Sequence, residues 1–187
     1  MASVASSPAT LDDLSRVEGK AELIAGKIVR SMPTGFAPSQ AALRIVVSLF
    51  QHAQQTGSGV ANGDGIGFAV RPPLPNGRQS FSPDASYYVG PLPRNRMKFI
   101  DGVPALAVEV RSEGNYGAAN EAELAAKRAD YFAAGTQVVW DVDPLARTIT
   151  SYRSTAPDQG VSFVRGQIAD AEPAVPGWRI GVDEVFA

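Results

Sequence analysis

No cysteine occurs among the 187 residues, which removes disulfides, thiolate metal sites and a cysteine nucleophile together. Histidine is nearly as scarce. The single one, His52, falls on a predicted helix with no acid or serine at useful spacing, so it reads as a packing or surface residue and a histidine triad is excluded. An excess of positive charge is also missing: 17 Lys and Arg stand against 19 Asp and Glu, a net charge of −2, so contact with nucleic acid would have to come from a local groove. No apolar run approaches the roughly 20 residues of a membrane span, and the start has neither basic residues nor a sustained apolar stretch. A cytoplasmic protein without membrane contact is therefore expected, and any metal it holds is bound through oxygen.

What is present is ordinary for a globular chain, with 44% hydrophobic and 19% charged residues. The length suits one well-buried core, read as a flexible tail over residues 1–15 followed by a single domain over 16–187. Ala21–Arg30 reads as two short strands about Ala25-Gly26, closed by Pro33-Thr34-Gly35. From Ser39 to Gln55, Leu43, Val46, Val47 and Phe50 recur at helical spacing, predicting a helix that packs this face on a sheet and stops at Gly57. Five glycines between 57 and 67 predict a tight hairpin. Asn120 and Glu123 form a plausible capping box for a helix ending before Gly135, and Gln137–Val142 and Thr148–Tyr152 read as an antiparallel strand pair. Beyond Pro173 the chain reads as irregular. The whole predicts an α/β (α+β) fold with a central mixed sheet flanked by helices.

Two segments stand out. Phe81-Ser82-Pro83-Asp84-Ala85-Ser86 and Ala105-Leu106-Ala107-Val108-Glu109-Val110-Arg111-Ser112 each set one carboxylate in an otherwise apolar, strand-like run. Burying an unpaired carboxylate costs several kcal/mol, roughly, so two such acids on neighbouring strands suggest a shared cation, most economically a divalent metal. Alternation along the second strand sends Leu106, Val108 and Val110 one way and Ala107, Glu109 and Arg111 the other. A helix carrying Lys127 and Arg128 follows, giving the order acid, acid, base that metal-dependent phosphodiester hydrolysis would use.

Glu22-Leu23-Ile24 with Gly26, Pro33-Thr34-Gly35, Pro83-Asp84, Glu109-Val110-Arg111-Ser112, Lys127 four residues before Tyr131, Trp140-Asp141-Val142-Asp143-Pro144 and Pro176-Gly177 together resemble one family. It is the Uma-type restriction endonuclease family of the PD-(D/E)XK nuclease superfamily, and the resemblance spans roughly residues 16 to 186. It implies a restriction-endonuclease-like core and an Mg2+-dependent endonuclease acting on DNA, with Asp84, Glu109 and the Val110 carbonyl as metal ligands. Magnesium favours such hard oxygen donors and keeps several waters, and manganese suits the same set. The superfamily's lysine usually lies two residues after the second acid, where this chain has Arg111, a cation that does not readily deprotonate. In the Uma-type family it lies on the next helix, and Lys127 matches; on a helical wheel Arg128 is nearer the centre of the apolar stripe and Lys127 is at its edge. Glu22 matches the family's early glutamate, with a second metal, the attacking water or a plain ion pair to Lys20 or Lys27 as its alternatives. Many members carry a histidine after Pro-Thr-Gly; here Phe36-Ala37-Pro38-Ser39-Gln40 has none, and Gln40 is the polar substitute. A homodimer is expected by analogy with nucleases of this fold.

Other features carry plainer readings. Asp141 and Asp143 share a strand face, which would suit a metal-bound sugar nucleotide, but Pro144 and the turn explain Asp143. Arg94, Arg96 and Lys98 read as a solvated loop, and Tyr87, Tyr88, Tyr116 and Tyr131 as core or rim residues. A second functional class stays open: a catalytically inactive nucleic-acid- or protein-binding module that retains the nuclease fold.

Overall fold

Thr10 caps the first helix by accepting a hydrogen bond from the Asp13 N–H, while Asp13 Oδ2 accepts from the Thr10 N–H at 2.9 Å. This reciprocal cap sets a short helix, α1 (Leu11–Leu14), in the computed structural model, which describes residues 7–187. Leu14 is buried and the Ala9 N–H donates to the Gly26 carbonyl. The expected loose tail is thus corrected for its later part, where a capping signal went unread; its residues 1–6 lie outside the described residues.

Strands β1 (Ala21–Ile24) and β2 (Lys27–Arg30) form the expected hairpin, with positive φ at both Ala25 and Gly26 as a tight two-residue turn requires. Helix α2 (Phe36–Thr56) follows, but a different stripe is buried. Ala41, Ile45, Leu49 and Ala53 face the sheet, whereas Leu43, Val47 and Phe50 are exposed. Two apolar stripes lie side by side on this helix, and the one with two alanines allows the closer approach to the sheet.

The strands β3 (Val60–Gly63), β4 (Phe68–Ala69), β5 (Ser80–Phe81), β6 (Ala85–Tyr88), β7 (Ile100–Asp101) and β8 (Leu106–Val110) come next. The glycine-rich segment does not close a hairpin: β3 pairs with β6, while β4 pairs with β5 and β7 in a separate three-stranded sheet. After a 3-10 turn (Glu113–Asn115) comes α3 (Ala118–Ala134), whose N-cap is Gly117. Asn120 reaches back to the Tyr116 carbonyl instead of forming the predicted box, and it is Ser112 and Asn115 that cap the turn before it.

The central sheet is completed by β9 (Val138–Asp143), β10 (Thr148–Arg153) and β11 (Ala156–Phe163), in the order β11-β10-β9-β8-β6-β3. Only β8 and β9 run parallel, so the sheet is mixed as expected. Leu106, Val108 and Val110 join α2 in one core, and Ala107 and Val139 join Tyr131 of α3, Phe68 and Phe81 in the other. The C-terminal stretch is more regular than expected. Pro157 and Gly160 disguise β11, an exposed edge strand, and β12 (Ile168–Asp170) pairs with β13 (Arg179–Gly181) before α4 (Val182–Val185). Trp178 packs against Trp140 with ring centroids 5.0 Å apart and the rings tilted by 30°. Among the described residues no helix is long and apolar enough to cross a membrane.

Candidate active site

The register of β6 on β8 decides the geometry. Ala85 pairs with Val108, so one step back Asp84 comes opposite Glu109, and the Asp84 N–H donates to the Val108 carbonyl at 3.0 Å. Asp84 is fixed further by the Val110 N–H, which donates to its Oδ2 at 2.7 Å. Glu109 is the one polar side chain that β8 sends to the α3 face. There Tyr131 donates its hydroxyl to Oε1 at 2.7 Å and Lys127 donates to Oε2 at 2.9 Å. Both acids and Lys127 line one cleft of about 680 Å3, along with Lys20, Asp64 and Val110.

Glu22 enters from the β1–β2 hairpin, which docks on β5 through the Gln79 N–H to Leu23 carbonyl bond and the Leu23 N–H to Ser80 Oγ bond. Its Oε1 lies 3.0 Å from Lys127 Nζ and accepts from the Ser82 N–H at 2.9 Å; its Oε2 lies 2.5 Å from Arg78. Arg78 continues to Asp130 at 2.7 Å and lies over the Phe81 ring, which itself stacks on Tyr131 with centroids 4.1 Å apart. Lys20, just before β1, bridges Asp84 and Asp64, the latter at 2.8 Å.

Among the described residues, five carboxylates (Glu22, Asp64, Asp84, Glu109 and Asp130) thus meet three cations, Lys20, Arg78 and Lys127. The titration of each buried group follows. Burial raises the Glu109 carboxyl, Lys127 pulls it back, Asp84 and Glu22 push it up again, and the net shift is upward. Burial also opposes the charge on Glu22, but Lys127 and Arg78 outweigh it and hold the group below the usual carboxylate range. Lys127 is disfavoured as a cation by burial, yet Glu109 and Glu22 more than compensate and raise it well above an ordinary lysine. Burial, followed by the charge of Glu109, holds the Tyr131 phenol neutral to high pH.

A divalent cation suits this donor set, because the unbalanced charge is negative and every ligand is a hard oxygen. Among the described residues no three His, Cys, Asp or Glu side chains form a metal cage. A cation bound between Asp84 and Glu109 would therefore need backbone oxygen and water as its further ligands, and Lys20 and Lys127 would have to yield part of their hold on the two acids.

The sequence family described as Uma2, putative restriction endonuclease, matches residues 9–183. The chain belongs to the Uma2 family. A crystal structure of a putative nuclease of DUF820 from Anabaena variabilis shares the fold: TM-score 0.73, covering 96% of this chain and 98% of that one, at 19% identity. No curated protein matches the chain significantly.

Within this Uma2 fold, several residues singled out in the sequence lie elsewhere. Arg111 is turned to Asp141, 2.6 Å away, and to Glu121, so it does not line the cleft. Its guanidinium fits two carboxylates as a fork, and those partners hold it. The same pairing accounts for Asp141, while Asp143 accepts from the Tyr116 hydroxyl and the Leu145 N–H, which leaves neither for a sugar nucleotide. Arg128 lies over the Tyr152 ring at 3.7 Å. Gln40 lines a separate hollow with Arg44 and Phe186 and takes no histidine-like place in the cleft. Lys20, weighed only as a partner of Glu22, pairs with Asp84 and Asp64 instead, and Asp64, Arg78, Asp130 and the hydroxyl of Tyr131 were missed. Their partners are 22 to 64 residues away or hidden in a glycine-rich turn, so no local spacing signals them.

Proposed function

We propose that the protein is a metal-dependent nuclease that hydrolyses phosphodiester bonds in DNA. The observation that supports it is the convergence of Asp84, Glu109 and Lys127 on one acid-rich cleft floor. Asp84, Glu109 and the Val110 carbonyl would hold Mg2+, or Mn2+ in its place. Such a metal lowers the pKa of a bound water and neutralises charge on a phosphate.

The chain's own groups have distinct tasks. The Val110 N–H orients Asp84 and the Tyr131 hydroxyl orients Glu109, so neither acid has to reorganise on binding. Lys127, raised by its two acids, stays an ammonium at neutral pH; it positions a water or phosphate oxygen and stabilises negative charge rather than accepting a proton. Glu22 acts through Lys127, holding the ammonium from the far side. A homodimer would carry two such sites.

The test is cleavage of supercoiled and single-stranded DNA with Mg2+, Mn2+ or EDTA, beside Glu109→Ala purified identically. Metal-dependent cleavage lost in the variant is the expected result. If neither protein cuts and calorimetry detects no metal, the fold serves as a binding module instead.

A further inference from the structure

The candidate cleft has a side pocket of about 240 Å3 that runs under the N-terminal half of α2. Thr34, Asp64, Asp84 and Val110 wall both spaces, so the pocket opens directly beside the acid at the cleft floor. Its apolar lining is Pro38, Ala42, Leu43 and Val46 along α2, and its polar lining is Thr34, Ser39, Asp64 and Asp84. Among the described residues no lysine or arginine lines it, and the Lys20 ammonium beside it is already shared by Asp64 and Asp84. That charge balance disfavours a phosphate, whereas a flat apolar ring with a polar edge matches both kinds of wall.

We propose that this pocket takes one unpaired nucleobase of the nucleotide at the cleft, and that the protein selects single-stranded or locally unpaired nucleic acid. The inference rests on the nuclease reading for its phosphate site, but it concerns the base. A base within a duplex is stacked and paired, and reaches a lateral pocket only when swung out of the helix. An already unpaired strand avoids that cost. Burying one base against apolar walls is a contribution that any base can make, so the preference is for strandedness rather than for sequence.

The experiment is fluorescence anisotropy in Ca2+ buffer with three probes: a 12-residue oligothymidylate, an abasic phosphodiester chain of equal charge, and the oligothymidylate duplexed with its complement. Two variants accompany the wild type. Leu43→Trp fills the pocket from a residue that is 52% exposed, and Phe50→Trp, at 53% exposure two helical turns further along, does not line it. We expect oligothymidylate to bind about tenfold tighter than either other probe, the size of one buried base. Leu43→Trp should abolish that difference while leaving the abasic affinity unchanged, and Phe50→Trp should keep it. Equal affinity for thymidylate and abasic chains, duplex binding as tight as single-strand binding, or a difference that survives Leu43→Trp would each overturn the proposal. Cleavage that depends on metal but not on bases removes the pocket inference alone. Base-dependent binding without any cleavage removes the nuclease reading alone, and absence of all binding removes both.

Discussion

Replacing Lys127 by methionine is the sharpest perturbation of the charge network. The ammonium lies 2.9 Å from Glu109 and 3.0 Å from Glu22, with the three side chains between 9% and 22% exposed. Glu22 keeps Arg78 and the Ser82 N–H, so the uncompensated charge falls on Glu109. Removing one partner of a buried pair typically costs about 3–5 kcal/mol, and partial access to water and to protons brings this to about 2–3 kcal/mol at pH 8. For a chain of this size that lowers Tm by about 5–10 °C. The deficit must depend on pH. Burial already raises the Glu109 carboxyl above its ordinary 4.5, so the folded state holds its proton more tightly than the unfolded state. Stability is then lost as pH rises from 4.5 through the folded value, and without Lys127 that window extends further upward. Thermal unfolding at pH 5 and pH 8 should therefore show a deficit of about 1 kcal/mol or less at the lower pH and the full deficit at the higher. Adding Glu109→Gln, which keeps an acceptor for Tyr131 without the charge, should recover all but about 1 kcal/mol. A Lys127→Met protein within about 0.5 kcal/mol of wild type at pH 8, or equally destabilised at both pH values, would refute the account of Lys127 as the counter-charge of the cleft.

Lys20→Met removes the cation that bridges Asp84 and Asp64, and calorimetry should show Mg2+ binding about tenfold tighter, one unit charge being absent from the competition. Arg111→Ala strands Asp141, whose side chain is only 10% exposed; chemical denaturation should show a loss of about 3 kcal/mol while Mg2+ affinity stays within about twofold, separating Arg111 from the cleft. Burial and then the hydrogen bond to Asp143 push the Tyr116 phenol up to about 12, so ultraviolet titration of Asp143→Asn should find it closer to 10. Because the folded value is the raised one, the stability this phenol adds is present below pH 10 and is lost as pH climbs through about 12.

Where the sequence reported the fold faithfully, the signal was local. The Ala25-Gly26 turn closes the hairpin it predicts, and the alternation of Leu106, Val108 and Val110 and the run Val138–Val142 bury the residues that their patterns predict. Where it misled, two local solutions were equally good and a distant contact chose between them. Leu43, Val47 and Phe50 make as regular a stripe as Ala41, Ile45 and Leu49, and only the closeness of α2 to β6 and β8 favours the alanine side. The glycines between 57 and 67 signal a reversal, but the reversal separates two sheets instead of joining two strands.

The same division explains how much of the cleft was legible. A carboxylate inside an apolar run is an anomaly that calls for a cation, and that reasoning led to Asp84 and Glu109 without any knowledge of their neighbours. It is blind to Asp64, which sits between glycines and looks like a solvated turn residue, although the β3–β6 pairing carries it to Lys20. It also misjudges Arg111. Two residues after an acid on the same strand, it shares that acid's face, but α3 brings Glu121 to it and β9 brings Asp141, so its fork is already filled. Lys127 was placed at the edge of the α3 stripe by its angle alone, and that edge proves to be where the helix passes over Glu109 and Glu22. An acid in an apolar strand thus announces that a counter-charge exists; which of the available cations supplies it is a property of how α3 and the β1–β2 hairpin dock, and is fixed only in the folded chain.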